Sequence, residues 1–544
     1  SRCTRTRFAS ARSCETKRMP RFPLTNDNAG ETYVYPASLF RRGSVPPPTG
    51  RIPREIVEFF NAPGGHSLIV KGPAGTGKTT FALQLTEALG EVTASHYLSS
   101  RVSDESLYRQ FTWLKDRIKP AILQTGSKSA HNTKVARHAL DQLEGKLEEG
   151  KEGEDEEPEA IGSGEVKGNF LEVTLGFDLP ELEAAYDFVD DRIPERSLVL
   201  IDSIDALAEH YGIPAGRLIT VLQKDLVERS KQNVLYVLES SGETRLDYLG
   251  DGVVSLASTD HQGRRLRVLT IEKLRGQQIQ QHRYLYTLDG GRLTAFDIRE
   301  EVRPVKPQLW RPVKDLSKDA VSFGLEPLDR LTGGLYRGRV VAFEISNAVP
   351  SDYVDWLRTA IICNFVVQGR GVAHVPPRKG SAEFLRELVS PHLTPGAFDS
   401  QVRVFESATL GSADVSRTVL HMEGTNVDSD LKWSNVEFQL PKSERPFLAF
   451  MAFDTLESVY EEKVLEEMSG VFSAVRRAKD VFVGFVTPQS ASASKLENLA
   501  RVVLHLDSIN GSVVLYGKKP YTELFSVAWD WSVGVPKAEL RPIV

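Results

Sequence analysis

Ser67-Leu68-Ile69-Val70-Lys71-Gly72-Pro73-Ala74-Gly75-Thr76-Gly77-Lys78-Thr79-Thr80-Phe81-Ala82-Leu83-Gln84-Leu85 is the stretch that decides the fold. Its first part, Ser67 to Val70, reads as a short buried strand, and its last part opens an amphipathic helix. Between them, Gly72 to Thr79 fits G-x-x-x-x-G-K-[ST], the phosphate loop. Strand, glycine turn and helix start are the context that gives this pattern chemical meaning. The glycines reach backbone conformations closed to other residues, so successive N–H groups converge on one anion. The helix that follows adds the partial positive charge of its N-terminus. Candidate nucleotide contacts are therefore Gly72, Pro73, Ala74, Gly75, Thr76, Gly77, Lys78, Thr79 and Thr80. Lys78 is expected to reach the β- and γ-phosphates, and the Thr79 hydroxyl to ligate Mg²⁺.

The bulk numbers set the frame. A chain of 544 residues predicts more than one domain. Hydrophobic content of 41% and charged content of 26% are those of a soluble globular protein. A net charge of −6 gives no global basic excess to attract nucleic acid. Cys3, Cys14 and Cys363 make neither a disulfide framework nor a metal-ligand cluster, which fits a reducing cytoplasm. No apolar run has the length of a transmembrane helix, so no membrane partner is expected.

Organisation follows from composition. Residues 1–50 read as a non-native leader and an extended lead-in. Residues 1–18 are rich in Arg and Ser, and Met19 is the first methionine. That pattern imitates an organelle transit peptide or marks translation upstream of the true start. Residues 51–300 form the predicted nucleotide-binding α/β domain, with strands alternating with helices and hence a mainly parallel sheet covered on both faces. An insertion interrupts it at about 120–168; its Glu-rich centre, Leu147 to Glu159, cannot bury a core and is predicted to be disordered. It reads as a solvated loop or an acidic partner-binding segment. Proline-rich residues 301–318 read as a linker, and residues 319–544 as a second α/β domain.

The second half of the phosphate site is Ser197-Leu198-Val199-Leu200-Ile201-Asp202, an apolar strand ending in a carboxylate. Such a strand delivers Asp202 to the sheet edge, where it holds a Mg²⁺ water beside Thr79. Leu200 to Leu207, Tyr248-Leu249-Gly250-Asp251-Gly252-Val253-Val254 and Ile271-Glu272-Lys273-Leu274-Arg275-Gly276 follow in order. With them the chain resembles the RecA-like ATPases of the KaiC group. Arg51 to Phe60 and the two-domain length make it similar, within that group, to the GvpD family of archaeal gas vesicle regulators. The resemblance implies ATP and Mg²⁺ as ligands. It also implies Lys273 and Arg275 as phosphate contacts reaching a neighbouring subunit, and with them a homo-oligomer joined head to tail. A guanidinium at the γ-phosphate stabilises transition-state charge. A solvent-facing charge pair is the alternative reading.

Two departures from the group matter. Its hydrolysing members carry adjacent glutamates after the second strand, where this chain has Arg101 and Val102. Arginine stays protonated and cannot act as a base. Asp104 and Glu105 fit better in a first helical turn. The second domain keeps the lead-in Val321 to Gly338 and the strand Val340 to Ile345, but Ser346 to Tyr353 contain no Gly-Lys-Thr. It is read as a degenerate RecA-like domain used for interaction. Arg264-Arg265-Leu266-Arg267 alternates like an exposed, solvated strand face, with an acidic partner or nucleic acid as the second reading. His66 and His96 read as structural.

The expected fold is thus α/β, with two RecA-like three-layer domains, the second lacking a phosphate loop. The expected function is an ATP-binding regulator of a protein partner, with slow or absent hydrolysis; control of gene expression is the form that the resemblance suggests. A DNA-associated recombinase-type ATPase is the alternative. If the missing glutamate limits turnover, Arg101→Glu raises single-turnover ATP hydrolysis; an unchanged rate would refute that assignment.

Overall fold

The computed structural model describes residues 51–90, 93–99, 104–117, 123–125, 180–240, 242, 245–297, 306–407, 418–461 and 463–544. The leader, almost all of the acidic insertion, and Arg101 and Val102 lie outside the described residues. All described residues belong to one compact unit. Two large sheets organise it.

The first sheet contains β1 (Ser67–Lys71), β2 (Ala94–Ser99), β3 (Leu123–Thr125), β4 (Ser197–Asp202), β5 (Asn233–Leu238), β6 (Gly252–His261), β7 (Arg264–Leu274), β8 (Arg283–Thr287) and β9 (Thr294–Phe296). Their spatial order is β3-β2-β4-β5-β1-β6-β7-β8-β9. Pairing is parallel from β3 through β6 and antiparallel from β6 to β9. β3 falls inside the span read as an insertion, yet it pairs with β2 at the sheet edge. A small hairpin, β10 (Ala320–Val321) with β11 (Leu335–Tyr336), leads into the second sheet.

That sheet contains β12 (Val340–Ile345), β13 (Arg370–Val375), β14 (Val402–Ser407), β15 (Val419–Met422), β16 (Glu444–Ala452), β17 (Val481–Val486), β18 (Val502–Ile509), β19 (Ser512–Lys519), β20 (Phe525–Asp530) and β21 (Lys537–Pro542). The order is β15-β14-β13-β16-β17-β12-β18-β19-β20-β21. Apart from the edge strand β15, this repeats the first sheet's order and its switch from parallel to antiparallel pairing. The architecture is α/β with two mainly parallel RecA-like sheets, and no phosphate loop follows β12.

Side-chain alternation explains the layers. Leu68 and Val70, Leu198 and Leu200, and Leu235 and Val237 pack on one face of the first sheet, against α1 (Arg54–Asn61) and α2 (Lys78–Leu89) through Phe59, Phe81 and Leu85. Ile69, Val199, Ile201, Val234 and Tyr236 fill the other face against Leu207, Leu218, Ile219 and Leu226. The second sheet is covered the same way, by Ile361 and Phe365 on one face and Leu456 and Leu496 on the other. Central strands buried on both faces are continuous apolar runs, which makes them legible in the sequence.

The antiparallel ends of the two sheets meet. Leu266 and Leu285 from the first pack with Val514, Tyr516, Leu524 and Ile543 from the second. The solvated reading of Arg264 and Arg267 fails here, because both are buried in this contact. Arg264 donates to the carbonyls of Thr522 and Gly517, each at 2.8 Å, and its guanidinium lies 4.3 Å from the Tyr516 ring and 4.1 Å from Tyr521. A guanidinium so bonded and stacked on two rings is a stable way to bury a cation. Arg265, between them, is exposed.

His96 is structural, in line with its reading from the sequence, and so is His374. Burial, and secondarily Arg192, holds His96 down to about 4; burial, and secondarily Arg358, holds His374 at about 3. Both imidazoles are neutral in the folded chain, while the unfolded chain binds protons below about pH 6.5. Their contribution is therefore complete above pH 6.5 and is lost progressively as pH falls toward 4. The unfolding midpoint should drop over that window, and His96→Leu should flatten the slope; an unaltered slope would show that His96 does not carry it.

Candidate nucleotide-binding site

β1 ends at Lys71 and α2 begins at Lys78, so the loop sits at the carboxyl end of a central parallel strand. Ligands of open α/β sheets bind at such ends. Glycine is required twice by geometry. Gly72 has φ of 155°, and a Cβ there would lie 2.3 Å from the Leu256 carbonyl oxygen. Gly77, the N-cap of α2, has φ of 92°, and a Cβ there would meet Leu288 Cδ2 at 2.8 Å. Pro73, Ala74 and Gly75 are exposed, whereas Thr76, Lys78 and Thr80 are buried. The Lys78 ammonium is turned back on the loop, donating to the carbonyls of Gly72 at 2.8 Å and Pro73 at 3.0 Å.

Thr79 and Asp202 come together although 123 residues apart in sequence: Thr79 Oγ1 donates to Asp202 Oδ2 at 2.6 Å. β4 carries Asp202 to the same edge as the loop, and Ser203 then caps the following helix by accepting from Ala206 N–H. A hydroxyl and a carboxylate beside an anion cradle form a hard-oxygen donor set, which suits Mg²⁺ shared with phosphate. The residues present therefore fit a magnesium nucleotide. Among the described residues no group of three His, Cys, Asp or Glu side chains could hold a metal without such sharing.

Three further residues, none of them placed at this site by the sequence, complete it. Tyr97 in β2 donates to Asp202 Oδ2 at 2.8 Å. Ser99, two residues on, pairs with Asp202 across the sheet, and that register brings Tyr97 to the carboxylate. Tyr286 in β8 donates to the Thr76 carbonyl at 2.7 Å, and burial pushes its hydroxyl up to about 12. Arg267 in β7 donates to the Gly75 carbonyl at 3.1 Å and, through Nε, to the Val544 carbonyl. Thr287 also donates to the Pro542 carbonyl at 2.6 Å. The loop's outer wall is thus fastened to the segment that follows β21.

Lys273 and Arg275 are not brought to this loop. Lys273 pairs with Val253, whose partner on β1 is Ile69, and its ammonium donates to the Asp247 carbonyl at 3.2 Å. Arg275 pairs at 3.0 Å with Asp251, whose other oxygen accepts from the N–H and hydroxyl of Ser67, the first residue of β1. The strand from Ser67 to Gly72 covers roughly 16 Å when extended. Burial, and then Arg275, lowers the Lys273 pKa. Arg275 is 61% exposed.

The second sheet lacks the cradle for a visible reason. After β12, Ser346 to Pro350 lead into a helix, Ser351–Val367, whose Arg358 is buried. Arg358 pairs with Asp355 and feels Asp454, the carboxylate that follows β16. A protein guanidinium thus supplies positive charge near the carboxylate that follows β16, the strand that takes the place of β4 in the second sheet.

Comparison with known proteins agrees with this geometry. The family described as "GvpD gas vesicle protein, P-loop domain" matches residues 56–272, and "GvpD basic region 2" matches residues 309–544. Protein GvpD2 of Halobacterium salinarum is 26% identical over 514 residues, spanning 90% of this chain and 96% of the relative. Protein GvpD1 of the same organism is 24% identical over 559 aligned residues, with the same coverage.

Arg267 ties the loop to the second half, so Arg267→Gln should weaken the transfer of any loop rearrangement. With ATP present, amide exchange across residues 537–544 should slow in the parent chain and respond at most weakly in the variant; an equal response in both would exclude this route.

Proposed function

This chain belongs to the GvpD family, and from that premise we propose that it is a nucleotide-held switch: it binds ATP with Mg²⁺ and regulates a protein partner. The observation that carries this reading is the Thr79–Asp202 hydrogen bond at the foot of a complete phosphate loop. It keeps a hydroxyl and a carboxylate together beside the anion cradle, where a cation shared with phosphate needs both. When bound, Mg²⁺ supplies charge neutralisation for the phosphates. The chain's own part is to orient. The Gly72 to Thr80 backbone wraps the phosphates, Lys78 leaves its two carbonyl acceptors for them, and Thr79 and Asp202 hold the cation and its water.

Hydrolysis is proposed to be slow or absent, because no carboxylate is assigned to orient the attacking water. Control of a partner then rests on occupancy of the loop rather than on turnover. The Arg267 and Tyr286 bonds to Gly75 and Thr76 give occupancy a path into the second half, which we read as a RecA-like domain without nucleotide chemistry. Its partner is proposed to be a protein that acts in gene expression, in the cytoplasm. No helix among the described residues is long and apolar enough to cross a membrane. The recombinase reading loses support because Arg264 and Arg267 face the protein interior.

Lys273 and Arg275 are proposed to serve the loop of a second copy, since their own chain holds Lys273 level with the middle of β1 and Arg275 at its first residue. Lys78→Ala should weaken ATP binding by roughly a hundredfold or more, because it removes charge-assisted bonds to two phosphates. Arg275→Ala should speed ATP dissociation, and mixing it with Lys78→Ala chains should restore slow dissociation, because the second variant still offers Arg275. Failure of mixing to restore it would refute the trans role. Fast steady-state hydrolysis by the parent chain would refute the held switch.

A further inference from the structure

The Asp202 carboxylate is held by more than the phosphate loop. Its Oδ2 accepts two hydroxyls, Thr79 Oγ1 at 2.6 Å and Tyr97 OH at 2.8 Å. A carboxylate oxygen has two lone-pair sites, so these donors occupy both. Oδ1 accepts no hydrogen bond from the described residues. The two oxygens of one carboxylate are therefore in different states, one committed to the fold and one open.

Tyr97 is built to keep that arrangement. It is fully buried in β2, which lies beside β4 with Tyr97 opposite Leu200 and Ser99 opposite Asp202. Close packing on all sides leaves the ring little freedom. Burial, and then the Asp202 charge, raise its hydroxyl pKa far above the ordinary phenol value, so it is a donor throughout the physiological range. Among the described residues, Tyr97 reaches the site through the carboxylate and not through the loop backbone.

We propose that Tyr97 is a positioning residue for the cation side of the site, fixing the rotation of Asp202 so that Oδ1 faces the metal shell that Thr79 begins. This rests on the magnesium–nucleotide reading above. Without the Tyr97 bond the carboxylate turns about its last torsion, which is broad and soft. Its open oxygen is then correctly placed for a cation only part of the time. Nucleotide alone, which needs the backbone cradle and Lys78 but not Asp202, is unaffected. A hydroxyl that merely satisfies its own burial predicts a different pattern: its loss lowers stability and weakens ATP binding equally with and without the metal.

The test is ATP binding to the full chain by calorimetry, titrated with Mg²⁺ and repeated in excess EDTA, for the parent, Lys78→Ala and Tyr97→Phe. Tyr97→Phe should raise the Mg²⁺ concentration for half-maximal ATP binding by about three- to tenfold, the worth of one hydrogen bond. Binding in EDTA should match the parent. In an Asp202→Asn background the same substitution should add nothing to the Mg²⁺ response. An unshifted Mg²⁺ midpoint, or equal losses with and without Mg²⁺, overturns the positioning role and leaves the nucleotide reading standing. A parent chain that binds no ATP, or that binds it no better than Lys78→Ala, overturns both. Should Tyr97→Phe fail to fold, 4-fluorophenylalanine at position 97 keeps the volume of the ring without its donor; it should shift the Mg²⁺ midpoint in the same direction, and no shift there overturns the proposal.

Discussion

One oxygen atom, Asp202 Oδ2, joins three separate elements of this chain. Through it the end of β4, the first turn of α2 and the middle of β2 are held in a single hydrogen-bonded group. Hydrogen bonds to a charged acceptor away from bulk water are stronger than neutral ones, and leaving one unmade is costly. The parallel register of β2, β4, β5 and β1 is what makes the group possible, because it lines up the carboxyl ends of strands far apart in sequence. The glycine loop then has a fixed floor and wall.

The second sheet shows what the same topology becomes when that group is absent. Strand order and pairing are repeated, and the core is layered in the same way. What differs is the chemistry at the carboxyl ends. Arg358, buried beside Asp355 and near Asp454, places a cation within the fold. Elsewhere in the sheet Glu344, with His505 at 2.9 Å and Lys518 at 2.6 Å, holds a second internal charge group; these partners outweigh burial and draw the carboxyl pKa down to about 2. Charges that would meet a ligand in one half are satisfied by the protein in the other.

The antiparallel extensions of both sheets give the two halves their contact, and β7 gives that contact its specificity. Arg264 enters a loop of the second half, and Arg267 reaches both the phosphate loop and the residues after β21. Nearby side chains of one strand therefore touch the nucleotide loop and the second half. That is a short physical path between the phosphate loop and the second half, and it requires no long network.

The phosphate loop, the apolar strands and the helical cover depend on local rules, and the residues alone reveal them. A glycine turn between a strand and a helix, and continuous apolar runs buried on both faces, are visible one segment at a time. The runs Ser67 to Val70, Ser197 to Asp202 and Val340 to Ile345 coincide with β1, β4 and β12 to within a residue for that reason. Thr79 and Asp202 are legible in the same way, since a strand ending in Asp after such a loop has a known place to go. The remaining features exist only once the sheets are assembled. Tyr97 is an ordinary strand tyrosine until sheet register sets it against Asp202. Arg264 and Arg267 follow the alternation of an exposed strand, and only the approach of a second sheet buries them. Lys273 and Arg275 look adjacent to the site in a motif, yet β7 runs antiparallel to β6 and leaves Lys273 level with the middle of β1, with Arg275 just beyond it at the start of that strand. Local chemistry is written in neighbouring residues; which groups meet across the sheet depends on strand order and direction, and no short stretch of the chain contains those.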